Sequence, residues 1–143
     1  VIAPDANLLI YAYAPNDSHH AASRLWLETI FSQPEHIGIP IYSIYAFLRV
    51  VTNPKLARSS LSISQAAAIV DSWLVLPHVR ILNPGDRHWI LFQEVAVTAR
   101  LQGAQLTDAA IAAIALEHDA VVHTKDRDFA RFPNLRWINP LQP

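Results

Sequence analysis

Four aspartates stand where they could do chemistry together. Asp5 follows the apolar run "VIAP", Asp108 follows "AQLT", and Asp126 and Asp128 follow "AVVHT". Each place reads as a strand-to-helix transition, and in open parallel sheets ligands sit beyond the carboxyl ends of the strands. Singly, each acid has an ordinary explanation: a turn at Asp5, a helix first turn at Asp108, an N-cap at Asp126. Three such clusters in a chain with only 16% charged residues point instead to a shared cation site. Carboxylate oxygens suit a hard divalent ion, Mg²⁺ or Mn²⁺. Such an ion binds phosphate oxygens, acidifies a water and stabilises a leaving oxygen, so the pattern suggests phosphodiester chemistry. Without it the like charges repel and raise one another's pKa.

The elements that must position these acids are short apolar strands alternating with helices. "VIAP" opens as a strand whose polar end is Asp5 and Asn7. "HHAASRLWLETIF" spaces Ala22, Leu25, Trp26 and Ile30 along one helix face. "HIGIPIYS" is a strand and "YSIYAFLRVVTNP" a helix closed at Asn53-Pro54. "SISQAAAIVDSWLVLP" predicts a helix with Ser62 or Ser64 as N-cap, and "HVRIL" a third strand. Residues 84–103 predict one long amphipathic helix ending at Gly103. "LTDAAIAAIALEHD" predicts a helix capped by Thr107. "AVVHT" is a strand, "DRDFARF" a short helix and "LRWI" a last strand. The pattern predicts an α/β fold, a three-layer α/β/α arrangement around a central parallel sheet.

Composition narrows the function. A chain of 143 residues, 52% hydrophobic, reads as one globular domain over 1–143. It has no cysteine, which removes disulfides and thiolate zinc sites and fits a reducing, cytoplasmic setting. No apolar stretch approaches a membrane span and no signal peptide is visible. The net charge is -1, so RNA contacts have to come from a local basic patch. Arg49, Lys55 and Arg58 cluster around Asn53-Pro54; Lys125, Arg127 and Arg131 flank the last aspartates. Arg49, Lys55 and Arg127 are the candidate RNA contacts. Trp89 and Trp137 read as core or interface residues. The "AAAIV" stretch at 66–70 suits a homodimer contact or an internal face equally. No histidine forms a ligand pair, and no GxSxG-like elbow is present.

Taken together, "DANLLIYA", "FLRVVTNP", "PGDRHW", "LTDAAIAAIALEHDA" and "TKDRDFARFPNLRWINPL" resemble the PIN-domain ribonucleases, and among them the VapC-type toxins of bacterial toxin–antitoxin pairs. The pieces come in family order and span nearly the whole chain. The resemblance implies an acidic pocket binding Mg²⁺ or Mn²⁺ at the carboxyl ends of the strands. It also implies endonucleolytic cleavage of RNA, transfer or ribosomal, and inhibition by a cognate VapB-type antitoxin. By position it makes Asp5, Asp108 and Asp126 metal ligands and Asp128 a more variable fourth acid. Asn7 and Thr124 then orient carboxylates or water. One departure bears on metal count. Many PIN domains carry a glutamate on the helix after the second strand, whereas "YSIYAFLRVVT" has no acid, Ile44 and Ala46 standing there. Glu94 replaces it only if the long helix faces the pocket.

Two other classes compete. A haloacid-dehalogenase-like phosphatase needs a second aspartate two residues after the first, where this chain has Asn7. A receiver module needs an acidic pair at the first strand end, where Asp5 stands alone. A catalytically degenerate PIN domain that only binds partners is the third alternative.

Overall fold

The computed structural model describes residues 1–57 and 60–142, so Arg58 lies outside the described residues. Five strands form one parallel sheet: β1 (Ile2–Pro4), β2 (Ile37–Pro40), β3 (Val79–Leu82), β4 (Val121–His123) and β5 (Trp137–Ile138). Six helices flank it: α1 (Ala6–Ala12), α2 (His20–Ser32), α3 (Ile41–Val51), α4 (Ile63–Leu74), α5 (His88–Thr98) and α6 (Gln105–Glu117). A 3-10 helix covers Arg127–Arg131. The strand order β3-β2-β1-β4-β5 puts β1 at the centre. The chain winds outward from β1 through β2 to β3, then returns to the other side of β1 for β4. Such a reversal of direction opens a crevice at the strand carboxyl ends. Here it lies between β1 and β4, whose register pairs Pro4 with His123.

Side chains alternate across the sheet and feed two cores. Ile2, Ile37, Ile39 and Val79 join Leu8, Leu9, Trp26, Phe47 and Trp73 on the α1–α4 side. Phe47 and Trp73 pack with ring centroids 4.9 Å apart, and the Trp73 indole N–H donates to Tyr13 Oη at 3.0 Å. Truncating either ring to alanine costs about 3–5 kcal/mol. Ala3, Leu82 and Val122 join the opposite core, where the alanine-rich α6 packs on α5. Gly38 lets β2 approach β3: a Cβ there would stand 2.5 Å from Leu82 Cγ.

Several expected boundaries move. α2 buries Ser23, Trp26, Leu27 and Ile30, while Ala22 and Leu25 face solvent. α4 starts as expected with a capping box, Ser62 Oγ accepting from Gln65 N at 3.1 Å and Gln65 returning the bond to Ser62 N. Ala67 and Ala68 are exposed on it, whereas Ala66 and Val70 are buried. α5 ends at Thr98 rather than running to Gly103, and it is not amphipathic: Trp89, Ile90 and Val97 are all exposed. Arg100 takes a left-handed φ of 53°, with Leu101 N donating to Ala96 O and Arg100 N to Val97 O. That pair of bonds closes the helix as glycine usually does. Asp119 (φ 52°) ends α6 by the same device, through Ala120 N to Ala115 O and Asp119 N to Leu116 O. Gly103 instead sits in the turn that leads into α6. α6 begins at Gln105, so Thr107 lies inside its first turn and is not its cap. Trp89 is 64% exposed and stacks on Phe92 of its own helix, so it is not a core residue.

Candidate functional site

The end of β1 fixes the first acid. Asp5 is the N-cap of α1, and Asn7 lies within that helix rather than at the strand end. Asp5 Oδ1 accepts from Ala6 N at 2.7 Å and Oδ2 accepts from Thr124 Oγ1 at 2.7 Å. The side chain is only 6% exposed. Burial pushes its carboxyl up to about 6, against those two hydrogen bonds, with Asp126 adding repulsion.

Thr124, fully buried just past β4, is the hub. Its hydroxyl donates to Asp5 and accepts from Asn7 Nδ2 at 3.3 Å and from Asp126 N at 3.0 Å. A hydroxyl has one proton and two lone pairs, so all three capacities are used. Asp126 then caps the 3-10 helix, its Oδ1 accepting from Asp128 N at 2.9 Å. Phe129 and Phe132, both buried and 5.2 Å apart, pin that segment to the second core.

The third side comes from α6. Asp108, in its first turn, is half-buried, and its carboxyl is pushed up to about 7. Burial is the main cause; repulsion from Asp5, Asp126 and Asp128 adds to it. Asp5, Asp126 and Asp128, from two other segments, thus all act on Asp108 at one edge of the sheet. α3 supplies no acid there: Ile44 is buried, Ala46 half-buried. Glu94 is exposed on α5.

Among the described residues, no three acidic or imidazole groups stand close enough to enclose a metal ion as they are placed. The donor set nevertheless fits a hard cation chemically. It is all oxygen, its charges repel, and the buried Asn7 Oδ1 beside it has no hydrogen-bond partner among the described residues.

His123 borders this edge but is committed elsewhere. Its Nδ1 accepts from the Trp26 indole N–H at 3.1 Å, and burial pushes the imidazole down to about 4. It is therefore neutral at pH 7.

Next to the acids lies an open depression of about 420 Å³, lined by Asn7, Tyr11, Lys125, Asp126, Arg127, Asn139 and Gln142. Tyr11 stacks on His19 with centroids 4.7 Å apart. Asp17 Oδ1 holds His19 through both its backbone N–H and Nδ1, at 2.8 Å each. Burial, then Asp17, Asp5 and Asp126, push the Tyr11 phenol up, so its hydroxyl stays protonated. Arg49 and Lys55 are exposed, on the last turn of α3 and in the loop beyond it, and neither lines the depression. Sequence reasoning missed Tyr11, Asn139 and Gln142. Tyr11 was within reach, since it stands four residues after Asn7 on the same helical face. The other two reach the depression only through the β4–β5 pairing.

Three kinds of comparison agree on what the chain resembles. The PIN domain family model matches residues 2–135. Ribonuclease VapC43 of Mycobacterium tuberculosis is 39% identical over 137 residues, covering 96% of this chain and 93% of the relative. Ribonuclease VapC33 of the same species is 32% identical over 142 residues, covering 99% of each. Among solved structures, VapBC2 from Rickettsia felis, bound to promoter DNA, has a TM-score of 0.69 at 19% identity, over 96% of this chain and 97% of that one. The sarcin–ricin loop cleaving toxin VapC20 of Mycobacterium tuberculosis has a TM-score of 0.67 at 18% identity, over 95% and 99%.

Proposed function

The chain belongs to the PIN-domain family and, within it, to the VapC ribonucleases; from that premise we propose that it is a divalent-metal-dependent endoribonuclease, the toxin of a toxin–antitoxin pair. Residues 1–143 act as one PIN domain. The observation that carries the reading is the placement of Asp5, Asp108 and Asp126 at one edge of the sheet, after β1, in the first turn of α6 and after β4. Oxygen donors brought to one edge from separate segments suit a shared hard cation.

Asp5, Asp108 and Asp126 would hold a Mg²⁺ or Mn²⁺ ion, and Asp128 would act from the rim, consistent with its exposure. The ion, when bound, supplies positive charge for the scissile phosphate and a more acidic water. Thr124 orients Asp5 and ties it to the Asp126 backbone. Asn7 Oδ1 is free to accept from a water entering the site. Arg127 and Lys125 stand beside Asp126 to neutralise substrate phosphates, with Arg49 and Lys55 as outlying contacts. His123 cannot serve as a general base through Nδ1, because that lone pair accepts the Trp26 proton. Hydrolysis leaving a 3′-hydroxyl and a 5′-phosphate follows, on transfer or ribosomal RNA. The toxin VapC20, which cleaves the sarcin–ricin loop, supports an RNA target of this kind.

The expected partner is a VapB-type antitoxin, as in the VapBC complexes of similar fold. A homodimer and a cytoplasmic setting complete the proposal; no helix among the described residues is long and apolar enough to cross a membrane.

One observation favours a second reading, a PIN domain that binds without cutting: α3 carries no acid, and the acids as placed do not enclose an ion. RNA cleavage assayed with Mg²⁺, with Mn²⁺ and with EDTA, for the parent chain and Asp5→Asn, separates the two. Metal-dependent cutting abolished by Asp5→Asn supports the nuclease. Equal cutting by both proteins in EDTA, or none by either, removes it.

A further inference from the structure

The depression beside the acids is not explained by metal binding, since Asp126 and Asn7 alone connect it to them. Its volume, about 420 Å³, is that of a small-molecule site. Its walls are polar and of three kinds. Lys125 and Arg127 offer positive charge, Tyr11 offers an aromatic ring, and Asn139 and Gln142 offer amides.

The ring is held in place. Tyr11 lies on α1 and stacks on His19, which Asp17 anchors from both its backbone and its ring. Lys125 is near enough to Asp17 to help hold that carboxylate ionised. One amide is held too: Asn139 Oδ1 accepts from Leu141 N at 3.0 Å, which leaves its NH2 group as a donor. Gln142 is brought alongside by the turn in which its N–H donates to Asn139 O at 3.3 Å.

We propose that this depression is a nucleotide subsite that reads the base next to the scissile phosphate. Lys125 and Arg127 take the phosphate, Tyr11 lies against the base, and Asn139 and Gln142 read its edge. This combination is how proteins recognise unstacked single-stranded RNA. The side chains that set cutting preference are therefore separate from the acids that cut. An NH2 donor at Asn139 selects a base with a carbonyl at purine C6 or pyrimidine C4, guanine or uracil. The proposal rests on the ribonuclease reading for its substrate class.

The test uses the full chain and a random-sequence single-stranded RNA pool. Cut sites are read by sequencing in Mn²⁺, and binding is measured in EDTA. Tyr11→Leu weakens binding on the order of 10- to 100-fold, the range for losing one stacked base. Tyr11→Phe keeps the ring and the binding, which excludes misfolding as the cause. Asn139→Asp keeps the oxygen that accepts from Leu141 N but replaces the donor with an acceptor, so preference moves toward adenine or cytosine. Gln142→Ala flattens the preference. A parent chain that cuts, with variants that share its affinity and its preference, overturns the subsite and leaves the nuclease reading intact. A parent chain that does not cut, with base preference in binding that moves with the variants, keeps the subsite and overturns the nuclease reading. Displacement of RNA by poly-glutamate as effective as by unlabelled RNA makes the depression a general anion patch and overturns the subsite.

Discussion

The two sides of the acidic edge are built in opposite ways. At the junction of β1 and β4, Asp5 has both oxygens occupied, by Ala6 N and by Thr124 Oγ1, and is nearly sealed from water. At the start of α6, Asp108 is half-exposed and is governed by burial and by repulsion from three other acids. One carboxylate is placed by hydrogen bonds, the other by the helix that carries it. The difference teaches that rigidity and charge are supplied by different parts of the chain. The strand ends set where the site is. The first turn of α6 adds the acid on which the others act.

The strongest challenge to this contrast is Asp5→Asn, which changes one charge and little volume. Losing the metal-dependent stabilisation of a transition state costs several kcal/mol, so cleavage of an RNA oligonucleotide should fall about 1,000-fold. A retained rate would show that Asp5 is a structural cap only.

Thr124→Val comes next. The methyl group matches the hydroxyl in size but leaves Asn7 Nδ2, Asp126 N and Asp5 Oδ2 without their partner. Activity should drop about 10- to 100-fold, as when a group orienting a metal ligand is lost. Urea melts should show a loss of about 1–3 kcal/mol. If activity falls without any loss of stability, the hydroxyl acts on substrate rather than on Asp5.

Stability against pH tests both acids at once. Asp5, at about 6, and Asp108, at about 7, lie above their ordinary value of 3.8, so the folded chain holds these protons more tightly than the unfolded one. Their stabilising contribution is complete below about pH 4 and is lost as pH rises through 6 to 7. For the buried Asp5 alone the change is on the order of 3 kcal/mol. Melting in EDTA from pH 5 to pH 8 should show this decline, and Mn²⁺ should reduce it. A flat profile in EDTA would mean that neither burial nor the neighbouring acids raise these carboxyls.

The smallest effect separates the two acids most sharply. Asp126→Asn removes one of the charges that act on Asp108, whose carboxyl should then titrate lower by a fraction of a unit in carboxylate NMR. Asp5, dominated by burial and its own hydrogen bonds, should move less. A larger shift at Asp5 would reverse the assignment of which acid is governed by its neighbours.

Much of the fold was legible because its signals are local. Apolar runs marked all five strands, and Ser62 with Gln65 marked the start of α4. Thr107 and Gly103 misled because each is a good terminal residue in isolation. The chain instead ends α5 and α6 with Arg100 and Asp119 in left-handed conformations, closed by backbone hydrogen bonds that composition does not announce. The face of α2 was misjudged because Ser23, a polar residue, is fully buried. The aspartates at the strand ends could be found as candidates because parallel sheets put functional groups there. Thr124 as a three-way hub, and Asn139 and Gln142 beside Tyr11, could not be read, since each depends on contacts between residues far apart in sequence.

The bond between Thr124 and Asp5 spans 119 positions. β4 must slot in beside β1 before that bond can form, and six helices and two strands come between them along the chain. A segment that ends between residues 108 and 123 carries Asp5 and Asp108 but neither the hydroxyl that holds Asp5 nor the acid at 126. The acidic edge is therefore completed only when β4 has paired with β1, however early its first acid is in place.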